Sequence, residues 1–191
     1  MITQKISKAV FIIAIIGIFV SFTSNEILAG DSQDKVIINA VKTTSGGQFA
    51  IDISFTSSNQ HDKDGKSYTG IGSFCIPLLY EEEIFAVDSL KFFNTITTWD
   101  EKFSNSIPDS GFISIAGIYD MGGKGNDPLY TGSDKSEHVA TIYFQTNENA
   151  KPGEYAIKLT NDPRQGKPYF GSPDGVQSWL PEFMSGKIII E

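Results

Sequence analysis

The chain reads as an all-β protein, a β-sandwich of about nine short strands in a single domain. Three observations predict this. Apolar and polar residues alternate with a period of two along several stretches, most cleanly from Gln48 to Ser57. Clusters of Gly, Pro, Asn and Asp separate those stretches, as turns between strands require. No amphipathic helical pattern of about 12 residues or more interrupts them.

The first residues stand apart from this plan. Met1 to Lys8 carries Lys5 and Lys8, Ala9 to Phe22 is almost wholly apolar, and Ile27-Leu28-Ala29 precedes Gly30 and Asp31. A basic start, a short apolar run and a small residue before a polar stretch make a secretory signal peptide, predicted over 1–29 with cleavage after Ala29. The apolar run is about 14 residues, short of the roughly 20 that a spanning helix needs. An uncleaved membrane anchor is the alternative; after cleavage no membrane span is expected. Residues 30–191 form one domain, long enough to bury a real core. The expected location is secreted or at the cell surface.

Charge narrows the partners. The net charge is −8, and Lys5, Lys8 and Glu26 together carry +1, so −9 remains for residues 30–191. That balance argues against nucleic acid and against anionic membrane, both of which select basic surfaces. Cys75 is the single cysteine, so an internal disulfide is excluded. A free thiol outside the cell pairs between chains in some proteins, but a lone Cys on a strand is more often a small packed residue.

The strands follow in order. Val36 to Val41 is apolar at most positions, and Thr43 to Gly47 turns the chain. From Gln48, Phe49, Ile51, Ile53 and Phe55 are predicted inward against Ala50, Asp52, Ser54 and Thr56, which gives a sheet with one wet face. Ser58 to Thr69 is a polar insertion. Its Asp62-Lys63-Asp64-Gly65 resembles the start of a calcium loop but lacks the closing Glu, so an Asp-Gly turn in a long hairpin is the plainer reading. In Gly70 to Tyr80, Phe74, Ile76, Leu78 and Tyr80 lie on one side and Ser73, Cys75, Pro77 and Leu79 on the other. Pro77 cannot donate to a ladder, which predicts a bulge or an edge there. Glu81 to Glu83 is a solvated corner, and Ile84 to Phe93 is again extended. Phe93 to Ile107 reads as either a short helix or a long loop. Gly111 to Tyr119 is a strand, and Asp120 to Lys135 is a Gly-rich, Asp-rich excursion in which Met121 to Gly125 reads as a flexible loop. His138 to Asn161 is expected to be a half-buried antiparallel pair joined by Asn147 to Gly153. Asp162 to Phe183 is loop-rich, and Lys187 to Ile190 is the closing strand.

Chemistry finds little to work with. His61 and His138 are not spaced to share a metal, and Cys75 alone makes no zinc set. A Gly-x-Ser-x-Gly elbow is absent, and Met121 to Gly125 lacks phosphate-loop spacing. Asp100, Glu101, Asp120, Asp127 and Asp134 are plentiful carboxylates, but nothing pairs two of them across a substrate. No catalytic residue, metal ligand or cofactor is predicted. Sugar binding is the stronger competitor. Trp99 and Trp179, with Tyr130, Tyr169 and Phe170, fall in less regular stretches where a ring can be left open to stack on a pyranose; burial at the ends of the sandwich is the other outcome.

Three motifs carry a family likeness. Phe74 to Asp88 (FCIPLLYEEEIFAVD), the turn Ala150-Lys151-Pro152-Gly153-Glu154-Tyr155 with the Ala-Thr-Ile strand before it, and the closing Gly186-Lys187-Ile188-Ile189-Ile190 together resemble a cohesin domain. Cohesins hold dockerin-bearing enzymes on extracellular scaffolds in cellulosome-like systems. The resemblance spans about Val36 to Glu191. It implies a nine-stranded sandwich with jelly-roll topology, immunoglobulin-like in general architecture, and a non-catalytic module that docks a dockerin-like protein partner through one sheet. By the same resemblance that sheet contains Gly70–Tyr80, Gly111–Tyr119, His138–Gln145 and Glu154–Asn161, with Ser73, Cys75, Pro77 and Leu79 on the partner-binding face. The pattern departs from the family at Ser73 and Cys75, where many cohesins place Asn and Asp. Alternative readings are a carbohydrate-binding module with a polysaccharide partner, through Trp99 and Trp179, and a structural subunit of an extracellular lattice.

Overall fold

The computed structural model describes residues 34–191 apart from 58–59, 64–65, 108–109 and 133–134. The expected signal peptide, and Asp64-Gly65 with the calcium reading, lie outside the described residues. In chain order the strands are β1 (Lys35–Ile38), β2 (Val41–Thr43), β3 (Gln48–Thr56), β4 (Gln60–Lys63), β5 (Lys66–Thr69), β6 (Ser73–Leu79) and β7 (Phe85–Phe92). A short 3-10 turn, Asn94–Thr98, precedes β8 (Glu101–Ile107), β9 (Phe112–Ile118), β10 (Glu137–Thr146), β11 (Gly153–Ala156) and β12 (Lys158–Leu159). β13 (Tyr169–Gly171), β14 (Ser178–Trp179), β15 (Glu182–Met184) and β16 (Lys187–Ile190) complete the chain. The fold is all-β, but sixteen strand segments replace the expected nine among the described residues, because several arms change partner midway.

One sheet runs β15-β1-β3-β10-β7, a second β11-β16-β2, and a third β14-β13-β6-β9-β8 with β12 also on β6. Their inner faces share one hydrophobic cluster. Phe55 of β3 meets Phe74 edge-on at 5.0 Å and Phe170 at 4.8 Å, so side chains of two sheets interdigitate at the centre. Tyr80 packs edge-on against Phe144, and Phe85 against Tyr155, tying the other boundaries. The predicted alternation of β3 holds: Phe49, Ile51, Ile53 and Phe55 are buried, while Asp52 is exposed.

Two strand expectations fail. The arms on either side of the Pro-Gly turn do not pair with each other. β10 lies between β3 and β7, whereas β11 pairs with β16 and β12 with β6. The turn is a corner that passes the chain from one sheet to another. It is stitched by the Ser45 hydroxyl donating to the Ala150 carbonyl (2.6 Å) and the Tyr155 hydroxyl donating to the Lys151 carbonyl (2.8 Å). Likewise the Val36–Val41 run splits: β1 pairs with β3, and β2 leaves to pair in parallel with β16.

Pro77 is neither in a bulge nor on an edge strand. Its register with β9 is unbroken, opposite Ser114. On its other side β13 covers Ser73 to Cys75 and β12 covers Leu78 and Leu79, so Pro77 falls where one partner gives way to the next. The Thr160 N–H donates to the Pro77 carbonyl (3.1 Å), which places the missing proline N–H on that same interrupted side. The polar insertion is a hairpin as expected, β4 antiparallel to β5.

Candidate functional site

β6, β9 and β8 build one outward face, and the pairing register lays it out in rows. Directly opposed residues of an antiparallel pair share a face. One row is Phe103, Ala116, Cys75 and Tyr169; the next is Asn105, Ser114 and Pro77; a third is Ile107, Phe112, Leu79 and Lys158. Glu101, Ile118 and Ser73 close the opposite end. Three large apolar side chains of this face are open to solvent: Leu79 (41% exposed), Phe103 (40%) and Ile118 (37%).

The four residues expected to meet a partner divide. Leu79 is exposed and Ser73 half-buried, but Cys75 and Pro77 are buried although they point to the outer side. Neighbours fill the space over them. The Cys75 Sγ lies 3.6 Å from the Ser114 hydroxyl, and Tyr169 stands opposite it in the next strand. Burial pushes the Cys75 thiol up to about 11, with the negative charge of Asp162 acting in the same direction. Burial likewise pushes Tyr169 up to about 12. Gly117 lies under Phe74 and Trp99, and a Cβ there would come within 2.8 Å and 3.0 Å of those rings.

β10 does not belong to this face; it is central to the opposite sheet. The missing strand is β8, from the stretch that reads as a helix or loop. Its sequence, EKFSNSI, shows weak alternation because an edge strand leaves much of both its faces wet. The residue this hides is Phe103, whose position two strands from Cys75 is visible only once β8 is paired.

Both tryptophans considered for sugar stacking take the other outcome, burial. Trp99 is 2% and Trp179 4% exposed. The Trp99 Nε1–H donates to the Asp127 carbonyl (3.1 Å) and the ring packs on Phe74; the Trp179 Nε1–H donates to Asp34 Oδ2 (3.0 Å) and the ring packs on Phe170. Each large apolar ring is buried while its one polar atom is satisfied. Of the other rings considered, Phe170 is buried, Tyr169 half-buried, and Tyr130 exposed.

The Gly-rich excursion after β9 is pinned rather than loose. Asp100 accepts from the Gly122 N–H, Lys124 Nζ and Asn126 Nδ2, and Asp120 accepts from the N–H groups of Lys124 and Gly125. The hydrogen bond from Lys124 holds the Asp100 carboxyl below its usual range. On the opposite sheet, His138 Nε2 lies 2.8 Å from Thr141 Oγ1, which donates to Asp52 Oδ1 at 2.7 Å. This trio resembles a catalytic relay only in composition. The buried Thr141 gives its proton to the carboxylate, not to the imidazole, so it is not set up as a nucleophile. No group of three metal-ligating side chains occurs among the described residues, and no helix there is long and apolar enough to cross a membrane.

No family model and no curated protein matches the chain. Solved structures do. A chain of the type I cohesin–dockerin complex of OlpA with Doc918 from Clostridium thermocellum aligns at a TM-score of 0.63 and 20% identity, over 84% of this chain and 100% of that one. The OlpC–Doc435 cohesin–dockerin complex of the same organism aligns at 0.64 and 18%, over 87% and 99%. A non-cellulosomal cohesin of the archaeon Archaeoglobus fulgidus aligns at 0.57 and 11%, over 84% and 92%. The chain has a cohesin-like fold.

Proposed function

We propose that this chain is a secreted, non-catalytic protein-interaction module of cohesin type, docking a dockerin-like partner domain through the outer face of β8, β9 and β6. One observation carries the reading: Leu79, Phe103 and Ile118 are all exposed on a single sheet face, spread along its length with polar Glu101, Asn105 and Lys158 in the rows beside them. An apolar patch bordered by polar groups is the anatomy of a contact surface. Cohesin–dockerin complexes among the similar structures support the kind of partner, and the apolar run before residue 30 supports export. Docking is by apolar contact at Leu79, Phe103 and Ile118, with the polar groups between and beside them setting register. Stacking on a polysaccharide has no comparable support, because both tryptophans are committed to the core.

The test is biolayer interferometry of the full chain against a panel of purified dockerin domains and extracellular proteins of the source organism. At least one should bind at micromolar affinity or better, and Leu79→Arg and Phe103→Arg should each abolish binding while leaving the melting temperature in place. Binding to none of them, or binding indifferent to both substitutions, would overturn the reading.

A further inference from the structure

The flank of that face carries unspent positive charge. The chain is acidic overall, and Lys35, Lys42, Lys124 and Lys187 each lie within ion-pair distance of a carboxylate. Lys91, Lys102, Lys135, Lys151, Lys158, Arg164 and Lys167 have no such partner among the described residues, and of these Lys158, Arg164 and Lys167 cluster. All three are exposed, they fall within ten residues of sequence, and among the described residues none makes an ion pair. Arg164 is the only arginine in the chain.

Their position is set by pairing. Lys158 stands opposite Leu79 and shares its face. The chain then leaves β12, turns, and returns as β13 opposite Cys75, so the turn springs from the edge of β6 between Pro77 and Cys75, two residues that point to the docking face. The turn is held firmly. Asp162 and Gly166 exchange backbone hydrogen bonds of 2.7 and 2.9 Å, and Asp162 Oδ1 accepts from the N–H groups of Arg164 (2.7 Å) and Gln165 (3.0 Å). Gly166 takes the left-handed conformation that closes it (φ 82°). Asp162 is buried, so the one acidic residue of the turn faces its own backbone while the cations face water. A pre-organised turn loses little conformational freedom when a partner arrives.

We propose that this β12–β13 turn, with Lys158, is a cationic rim of the docking face, and that it selects a protein partner presenting carboxylates beside its apolar contact. The inference rests on the docking reading and names the partner's chemistry. Charge at a rim steers encounter and rejects partners of like charge more than it adds raw affinity. A cationic rim on an acidic protein therefore acts as a local filter: a partner with a basic contact edge is disfavoured here even though the molecule as a whole would attract it.

The experiment is selection of a displayed random-peptide library on the wild-type full chain, followed by affinity measurement of the selected peptides. Peptides with Asp or Glu flanking aliphatic or aromatic anchors should dominate. Their affinity should fall roughly five- to thirty-fold in the double variant Arg164→Glu, Lys167→Glu, the range expected for losing and reversing exposed charge pairs. Lys91→Glu with Lys151→Glu, the same total charge change placed on β7 and at the β10–β11 corner, should have no effect, which separates a local rim from net charge. Selected peptides that are neutral or basic, lose binding with Leu79→Arg, and ignore the Arg164/Lys167 variant would overturn the rim while leaving the docking face standing. Peptides indifferent to Leu79→Arg as well would overturn both.

Discussion

Cys75 points to the outer side of its sheet and is still inaccessible, with no measurable exposure. Alternation along Gly70–Tyr80 correctly gave its direction, but direction is not exposure: on a flat sheet a small residue between Ala116 and Tyr169 is covered by its own neighbours. The thiol should therefore resist a thiol-specific reagent at pH 8 in the native protein and react fully in denaturant, where it returns to an ordinary value; rapid native labelling would contradict its burial. The same shift has a pH signature. A thiol raised from 9.0 to about 11 favours the folded state below pH 9, and that contribution disappears as pH climbs through 9 to 11, where only the unfolded chain gains by ionising. Urea titrations of wild type and Cys75→Ser should diverge in that window. Gly117 makes the complementary point on the inner face. Nothing in the sequence marks it as different from other strand glycines, yet Gly117→Val must displace Phe74 or Trp99. We expect a loss of about 1–3 kcal/mol by chemical denaturation, the usual cost of overpacking.

At the scale of elements, what was legible is what a strand decides alone. β3 follows from local alternation because it has a dry face and a wet face of its own, and β9 and β16 follow as short, mostly apolar runs. Pairing is different. β10 and β11 have the pattern of a hairpin, but a period of two says nothing about which neighbour accepts the hydrogen bonds, and the corner at Ala150–Gly153 sends them to different sheets. β8 was hidden for the opposite reason, since an edge strand is under little pressure to alternate. The Gly-rich excursion likewise depends on a residue distant in sequence, Asp100, whose carboxylate gathers three donors across more than twenty residues. Its lowered pKa means the contribution is present at neutral pH and is lost as pH falls through that lowered value. Asp100→Asn should lower the protection of the Gly122 amide against exchange at neutral pH, and acidification should lower it in the wild type, each taken relative to the intrinsic exchange rate at that pH, which itself slows in acid. Protection unchanged in both cases would show that the loop is held by other contacts.

For the whole molecule, the core and the proposed docking face draw on opposite surfaces of the same strands. β6 sends Phe74, Ile76 and Leu78 into the shared core and Leu79 into solvent, so one seven-residue segment serves both. Phe55 is the counterpart in the other layer, fully buried between Phe74 and Phe170. Phe55→Ala removes a ring from the point where the layers meet, and the cavity should cost about 3–5 kcal/mol. Because one cluster joins all three large sheets, that loss should appear as a shift of a single cooperative urea transition, not as the melting of one sheet before another. Leu79→Arg and Phe103→Arg place charge on side chains that are 41% and 40% exposed and should change the stability by less than about 0.5 kcal/mol. If instead they unfold the protein as Phe55→Ala does, the exposed face is part of the structural core, and loss of binding in those variants would say nothing about docking. Measured side by side, the three substitutions decide whether the outer layer of β6, β8 and β9 is free to serve a partner.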